Sequence, residues 1–382
     1  IYVVFCYMLV IVLFVDKNRI KLLPGDIYLL SLLFVAFISY YLSFEYVSLN
    51  KSVLNWLALI MVFIITRSTI TSTQMMPPYF QSLMLAGGFV SIIIARGFVS
   101  GMSLAHFMED HVDIYIDKEN LEYLFRASFY YTNILYVLGA AAIASLVAIF
   151  TTNRTINKLI SIVILVVLLA ALFIMFAKTG IVALLFSTVM LIIVILFVDT
   201  IPNKHRRIKQ CVYIMLAVVS TGVLFYYITN KSDGYVFDTG SFDIRLNVYE
   251  STMNVLLQHP ERLLFGFGPD SSTLLSGEII ESAKTSRATI EGAIDSAYMT
   301  FIFEYGVVFA LLFVIYCVHT MVRLFRLLRR NHTYQSVHIA LLIVFTYVLV
   351  ASISQVIGTS KVAWIIIQIF ALSGICQSQK NS

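Results

Sequence analysis

Long apolar stretches follow one another along this chain, separated by short polar links. They cover residues 1–15, 27–48, 53–66, 82–100, 134–150, 159–177, 181–198, 211–228, 297–318, 337–356 and 362–376. Most are about 15 to 22 residues long, which is what an α-helix needs to cross the hydrocarbon of a bilayer. Backbone amides and carbonyls in lipid must be satisfied within their own segment, so runs of this kind spell helices. The pattern predicts an all-α polytopic membrane protein of about 11–12 transmembrane helices. Pro24, Pro77, Pro78, Pro202, Pro260 and Pro269 all fall between the runs, where a missing amide donor costs least. The chain starts at Ile1 inside an apolar run, and the natural N-terminus is expected further upstream.

One segment breaks the pattern. From Asp238 to Phe309 the chain carries glycines, charges and polar residues before it re-enters an apolar run. Ser241 or Asp243 is a candidate cap for a helix over 243–258. At about 100° per residue, Asp243, Asn247, Glu250, Asn254 and Gln258 share one face of it, and Ile244, Val248, Tyr249, Met253, Val255 and Leu256 the other. His259-Pro260 ends the helix, because proline disfavours it in the preceding residue. Arg245 is the exception, a cation on the apolar face. It asks for an anion, and the neighbouring helix N-terminus also favours one. The alternatives are an ion pair with Glu250 or Glu304, or a snorkelling side chain. LLFGFGPD follows, with Gly266 and Gly268 spaced for a tight backbone turn. Asp295 then stands at the mouth of the run 297–318, as helix cap or as functional acid. Glu304 lies nine residues further on, about two and a half helical turns. An acid at that depth is either structurally paired or functional.

Composition agrees with the pattern. Hydrophobic residues make up 60% and charged residues 12%, against about 45–50% and 25% in soluble domains, which excludes a soluble multidomain protein. The net charge of +5 carries no nucleic-acid signal; its distribution is what matters. Lys17, Arg19 and Lys21, Arg154 and Lys158, the cluster Lys204, Arg206, Arg207 and Lys209, and Arg323, Arg326, Arg329 and Arg330 fall in alternate links. Basic links mark the cytoplasmic side. The same links hold only Asp16, Asp26 and Asp199 as acids. The loops at about 101–133 and 229–296 then face outward. The chain divides accordingly into 1–228, transmembrane helices with the first outward loop; 229–296, a large, partly helical outward loop carrying candidate functional residues; and 297–382, the C-terminal transmembrane helices.

Further cations collect on the outward face. Arg126 lies in RASFYYTN, Lys178 in FAKTGIVALL and Arg96 near the end of the run 82–100. Each alone reads as an interfacial snorkeller; together they suit an anionic lipid headgroup or a polyprenyl diphosphate. His106, His111 and His259 have no metal-ligand spacing, and EDHVD has no Asp-x-Asp pair. No metal and no cofactor is expected. Cys6, Cys211, Cys317 and Cys376 read as small apolar residues rather than a disulfide framework.

DIRLNVYE, LFGFG, DSAYMTFIFE and EYG, in that order, resemble the pattern of the O-antigen polymerase and O-antigen ligase family of bacterial membrane glycosyltransferases. RASFYYTN is similar to that family's Arg…Asn segment, and AKTGIVALL to its Ser-Arg-x-Gly hairpin, with Ala177-Lys178 in place of Ser-Arg. The resemblance covers most of the second half of the chain. It implies a GT-C-like, metal-independent transferase in the bacterial inner membrane, with its site facing the periplasm and an undecaprenyl-diphosphate-linked oligosaccharide as donor. Arg245 matches the family's loop arginine, and Lys178 and Arg126 its further basic positions; with Arg96, Tyr298 and Tyr249 they form the expected diphosphate and glycan set. The chemistry needs a general base, for which Asp295 stands first and Glu304 second, with Glu304 alternatively orienting Arg245. Ligases place a histidine where this chain has Asp295, which favours a polymerase acting on a lipid-linked repeat unit as acceptor. The alternatives are a ligase with lipid A core as acceptor, or a non-enzymatic lipid-linked oligosaccharide flippase. Membrane lipids are expected partners, a chain-length regulator is a candidate protein partner, and nucleic acid is not expected.

Overall fold

A computed structural model of the chain describes residues 26–43, 49–100, 131–152, 154–174, 178–197, 204–230, 240–269, 271, 296–330, 334–353 and 363–378. Among them are eleven α-helices and no strand: α1 (Asp26–Leu42), α2 (Leu49–Thr69), α3 (Met76–Ser100), α4 (Tyr131–Thr151), α5 (Thr155–Ile174), α6 (Lys178–Phe197), α7 (Lys204–Asn230), α8 (Gly240–Gln258), α9 (Ala297–Arg330), α10 (Gln335–Ala351) and α11 (Ala363–Ser378). Each apolar run from residue 27 onward has one of these helices over most of its described residues, and α8 is the amphipathic segment of the polar insert. The run 1–15 lies outside the described residues, as does the loop at 101–130.

Two local expectations shift. Pro77 and Pro78 lie in the first turn of α3 rather than in a link, where amides have no intrahelical acceptor to lose. Lys204, Arg206, Arg207 and Lys209 belong to the first turns of α7, because nothing in KHRRIKQ stops a helix from starting before the apolar run.

Among the described residues, four helical stretches are long and apolar enough to cross a membrane: Thr73–Arg96, Thr155–Phe173, Thr179–Phe197 and Ala297–Arg329. Their outward faces are as apolar as their packed ones. On α5, Ile156, Leu159, Ile160, Val163 and Val166 are exposed while Leu165, Leu168, Ala171 and Leu172 are buried. On α6, Val182, Phe186, Val189 and Ile193 repeat the arrangement. Helices that are hydrophobic all round suit a membrane; a soluble protein does not expose continuous stripes of this kind.

The chain forms two compact units. One takes residues 1–73, 238–324 and 352–382; the other takes 74–237 and 325–351. In the second unit α4 is the hub, packed against α3, α5, α6 and α10. Its sequence LGAAAIAS offers small residues on several sides, which lets neighbouring backbones approach closely. Tyr347 of α10 is fully buried and donates its hydroxyl to the Leu135 carbonyl at 3.0 Å. A methyl group at Gly139 would overlap the Tyr347 ring. Gly139→Ala is therefore expected to cost about 1–3 kcal/mol through overpacking and to lower the thermal midpoint of the purified protein. In a Tyr347→Leu background the same substitution should cost little; an equal loss in both backgrounds would show that Tyr347 is not the obstacle.

Candidate functional site

The other unit contains the polar insert. In α8, Val248, Ser251, Thr252, Val255 and Leu256 are buried, while Asn247, Glu250, Asn254 and Gln258 are exposed. The expected wheel therefore holds along the described part, although Leu246 and Leu257 also stand exposed. The buried face packs with Phe267 and Phe303 into one cluster, flanked by Met253, Leu263, Met299 and Ile302. Phe267 and Phe303 stack at 4.9 Å between centroids. Each such side chain, once buried, contributes about 1.5–3 kcal/mol, enough to hold α8 on the start of α9.

Helix α9 is not one straight rod. Gly306 has φ 82° and ψ 174°. The Phe301 ring lies 5.3 Å from that of Phe309 and 5.0 Å from that of Phe313, although residues twelve apart on an unbroken helix are about 18 Å apart along its axis. The limb 297–305 therefore folds back along the limb that starts at 307. The run 297–318, drawn from sequence as a single span, has a reversal in it. Gly306 carries the reversal because a positive φ costs other residues about 1–2 kcal/mol.

A reversal orphans helix ends. In a continuous helix the amides of Val307 and Val308 would bond to the carbonyls of Phe303 and Glu304. Here Val307 N donates to Leu263 O at 3.0 Å and Val308 N to Leu264 O at 3.4 Å. Phe267 N donates to Phe303 O and Gly268 N to Glu304 O, both at 2.9 Å. The loop 263–268 thus caps the end of one limb and the start of the other at once. Gly266, with φ 72°, makes this possible, since a side chain there would strike the Glu304 carbonyl. A side chain at Gly306 would strike the Leu264 carbonyl in return. LFGFG (264–268) and EYG (304–306), 40 residues apart by their first residues, are one backbone joint.

The joint fixes its surroundings. The Glu304 carbonyl also accepts from the Ser39 hydroxyl of α1 at 2.8 Å. Arg262 donates to the Leu42 carbonyl at the end of α1 at 2.7 Å, filling a C-terminal orphan of that helix. Ala297 N donates to Ser352 O at 3.1 Å, and the Tyr249 hydroxyl to Ile353 O at 3.5 Å.

The expected site residues distribute as follows. The backbones of Arg245 and Tyr249 on α8 and the residues Tyr298 and Glu304 on the first limb of α9 belong to one unit. Glu304 is 1% exposed. Tyr298 is half-buried, its ring 6.3 Å from that of Phe313 across the fold-back. Arg96, exposed near the end of α3, and Lys178, the first residue of α6, belong to the other unit. Asp295, Arg126 and the side chains of Arg245 and Lys178 lie outside the described residues. No group of three or more metal-ligating side chains is present among the described residues. A cavity of about 440 Å³ in the second unit, lined by Phe80, Gln81, Met84, Thr151, Asn157 and Ser336 among others, includes none of the expected residues. Cys211, Cys317 and Cys376 are buried free thiols, as apolar placement would have them. Ser39 and Arg262 were not singled out from sequence, and Gly306 entered only within the EYG patch; the one available signal for the break was a glycine inside an apolar run, which is costly in a helix without a reason.

No protein-family model and no curated protein matches the chain.

The joint makes a testable demand. Gly306→Ala should cost about 2–5 kcal/mol, the sum of backbone strain and overpacking. Hydrogen exchange should quicken at Phe267 and Gly268 together with Val307 and Val308. Faster exchange confined to Val307 and Val308 would show that the loop does not cap the break.

Proposed function

We propose that the chain is an O-antigen or related surface-polysaccharide polymerase of the bacterial inner membrane. It moves a growing glycan from undecaprenyl diphosphate to a new lipid-linked repeat unit at the periplasmic face. The observation that carries this proposal is the mating of LFGFG with EYG: two patches of the family pattern, distant in sequence, owe their glycines to a single backbone joint. The orientation rests on the alternation of basic links along the sequence.

In this mechanism an acceptor hydroxyl attacks C1 of the donor sugar, the bond from C1 to the diphosphate oxygen breaks, and the hydroxyl proton passes to a carboxylate. The leaving lipid diphosphate gains charge, which fixed cations offset. Arg245 is assigned to the diphosphate, with Lys178, Arg126 and Arg96 as further cations and Tyr298 and Tyr249 along the glycan. The burial of Glu304 favours a positioning role for it, since a base must reach the hydroxyl it deprotonates. Asp295 is the assigned base.

Purified protein given a lipid-linked repeat unit as sole substrate is expected to produce a ladder of longer glycans and free undecaprenyl diphosphate. Arg245→Ala should lower elongation by about a hundredfold or more at unchanged abundance in the membrane. Transfer only when lipid A core is supplied would make the protein a ligase. Movement of a labelled headgroup across liposomes without release of undecaprenyl diphosphate would make it a transporter. Wild-type elongation by Arg245→Ala would remove the clamp.

A further inference from the structure

A second polar cluster lies far from the joint, in the same unit. Asp26 opens α1, Arg67 sits in the last turn of α2, Arg323 lies on the second limb of α9, and Gly374 is on α11. Arg323 is seventeen residues beyond Gly306, about 25 Å along the helix. The carboxylate of Asp26 accepts from Arg67 at 2.7 Å, with the two side chains 5% and 6% exposed. The Arg67 guanidinium also faces the Phe63 ring at 5.1 Å. It occupies the place of the missing side chain of Gly374, so that a methyl group there would collide with it. Arg323 reaches the same glycine from another helix, donating to the Gly374 carbonyl at a long 3.4 Å. Arg323 was counted with a basic link from sequence, but it is 8% exposed, because α9 continues to residue 330 and turns this position toward α11.

The charges do not balance. Two guanidiniums converge on Gly374, and Asp26 is the one carboxylate paired with them among the described residues. The Nε atoms of both Arg67 and Arg323 are buried without a hydrogen-bond partner among the described residues. A guanidinium carries five donors, and Arg323 places one of them, weakly. A buried cation left in this state is costly, and its ordinary resolution is an anion. His319, one turn before Arg323, is exposed and rests on Tyr28, their rings 5.0 Å apart.

We propose that Arg323 and Arg67, with Asp26 holding Arg67 in place, form a binding site for a singly charged phosphate group. Among the described residues the cluster carries a surplus of one positive charge, which matches one phosphodiester or one dihydrogen phosphate, and arginine forks suit phosphate oxygens. Asp26 limits the site to a monoanion, since a dianion would face its carboxylate uncompensated. Two sources share this chemistry, the headgroup of an anionic phospholipid and free inorganic phosphate. The site does not depend on the function proposed above and takes no part in its chemistry.

The test uses the full chain in detergent, with three probes: phosphatidylglycerol, diacylglycerol of the same acyl chains, and inorganic phosphate. Native mass spectrometry and the thermal midpoint are read for each. One phosphatidylglycerol retained per chain, with no retention of diacylglycerol, identifies a lipid phosphate. A rise of the midpoint with millimolar phosphate identifies the free ion. Arg323→Gln should weaken whichever binds by at least about tenfold, while Arg323→Lys, which keeps the charge but loses the fork, should fall between. Wild-type protein that retains no phosphatidylglycerol beyond diacylglycerol and shows no response to phosphate overturns the proposal without any variant. Undiminished binding by a folded Arg323→Gln overturns it as well.

Discussion

The exchange of four backbone hydrogen bonds between residues 263–268 and the break at Gly306 constrains the unit that contains it. Each bond is worth about 1 kcal/mol net, but each group left buried and unpaired would cost about 1–3 kcal/mol. In an apolar surrounding the cost is higher still. The fold-back of α9 can therefore exist only while the loop is docked, and the loop can dock only where the helix is broken. Everything nearby takes its position from this mutual requirement. The Glu304 carbonyl is shared by Gly268 and Ser39, Arg262 closes the end of α1, and the apolar face of α8 finishes on Phe267 and Phe303. The polar insert is thus partly a scaffold. Its segment from Leu263 to Gly268 cannot swing as a lid without exposing four helix-end groups.

Charge is handled differently at the far end of the same unit. There the helices are joined through side chains rather than through the backbone. Asp26 and Arg67 neutralise each other at 2.7 Å, so neither reports on the surface where a sequence count would place it. Arg323 is the charge left over. A pair of this kind is weak evidence for stability, because desolvation offsets most of the attraction. Its effect is positional: it fixes α1 against α2 and holds one guanidinium beside the glycine that a second guanidinium approaches.

How far these features were legible in the sequence depends on the range of the interaction behind them. Apolar run length decides helix in a membrane protein almost without reference to the rest of the chain, and each run from residue 27 onward is helical over most of its described residues. Amphipathicity is equally local, which is why Asn247, Glu250, Asn254 and Gln258 could be placed on one exposed face of α8. Gly306 was opaque for the opposite reason. In sequence FEYGVVF continues an apolar helix, and only the Leu264 carbonyl, brought in from a distant loop, makes the reversal tolerable. Arg323 reads as a link cation by sequence, since burial of a charge is decided by partners on other helices, here Gly374 on α11 and, for Arg67, Asp26 on α1.

The burial of Glu304 bears on how labour is divided at the candidate site. A carboxylate 1% exposed beside a helix break is held by its surroundings and is poorly disposed to meet a sugar hydroxyl, whereas its field still acts on cations nearby. Arg245 stands one turn before Val248, the first residue of α8 described as buried, and Val248 packs in the cluster that holds Phe303, the neighbour of Glu304. The backbone joint therefore ties the register of α8 to that of the first limb of α9. A loop cation and a limb carboxylate are carried on two helices that cannot slide independently. In the proposed transfer from a lipid diphosphate the leaving charge must be met by a cation already in place, and a joint that holds α8 in register would keep Arg245 at that position.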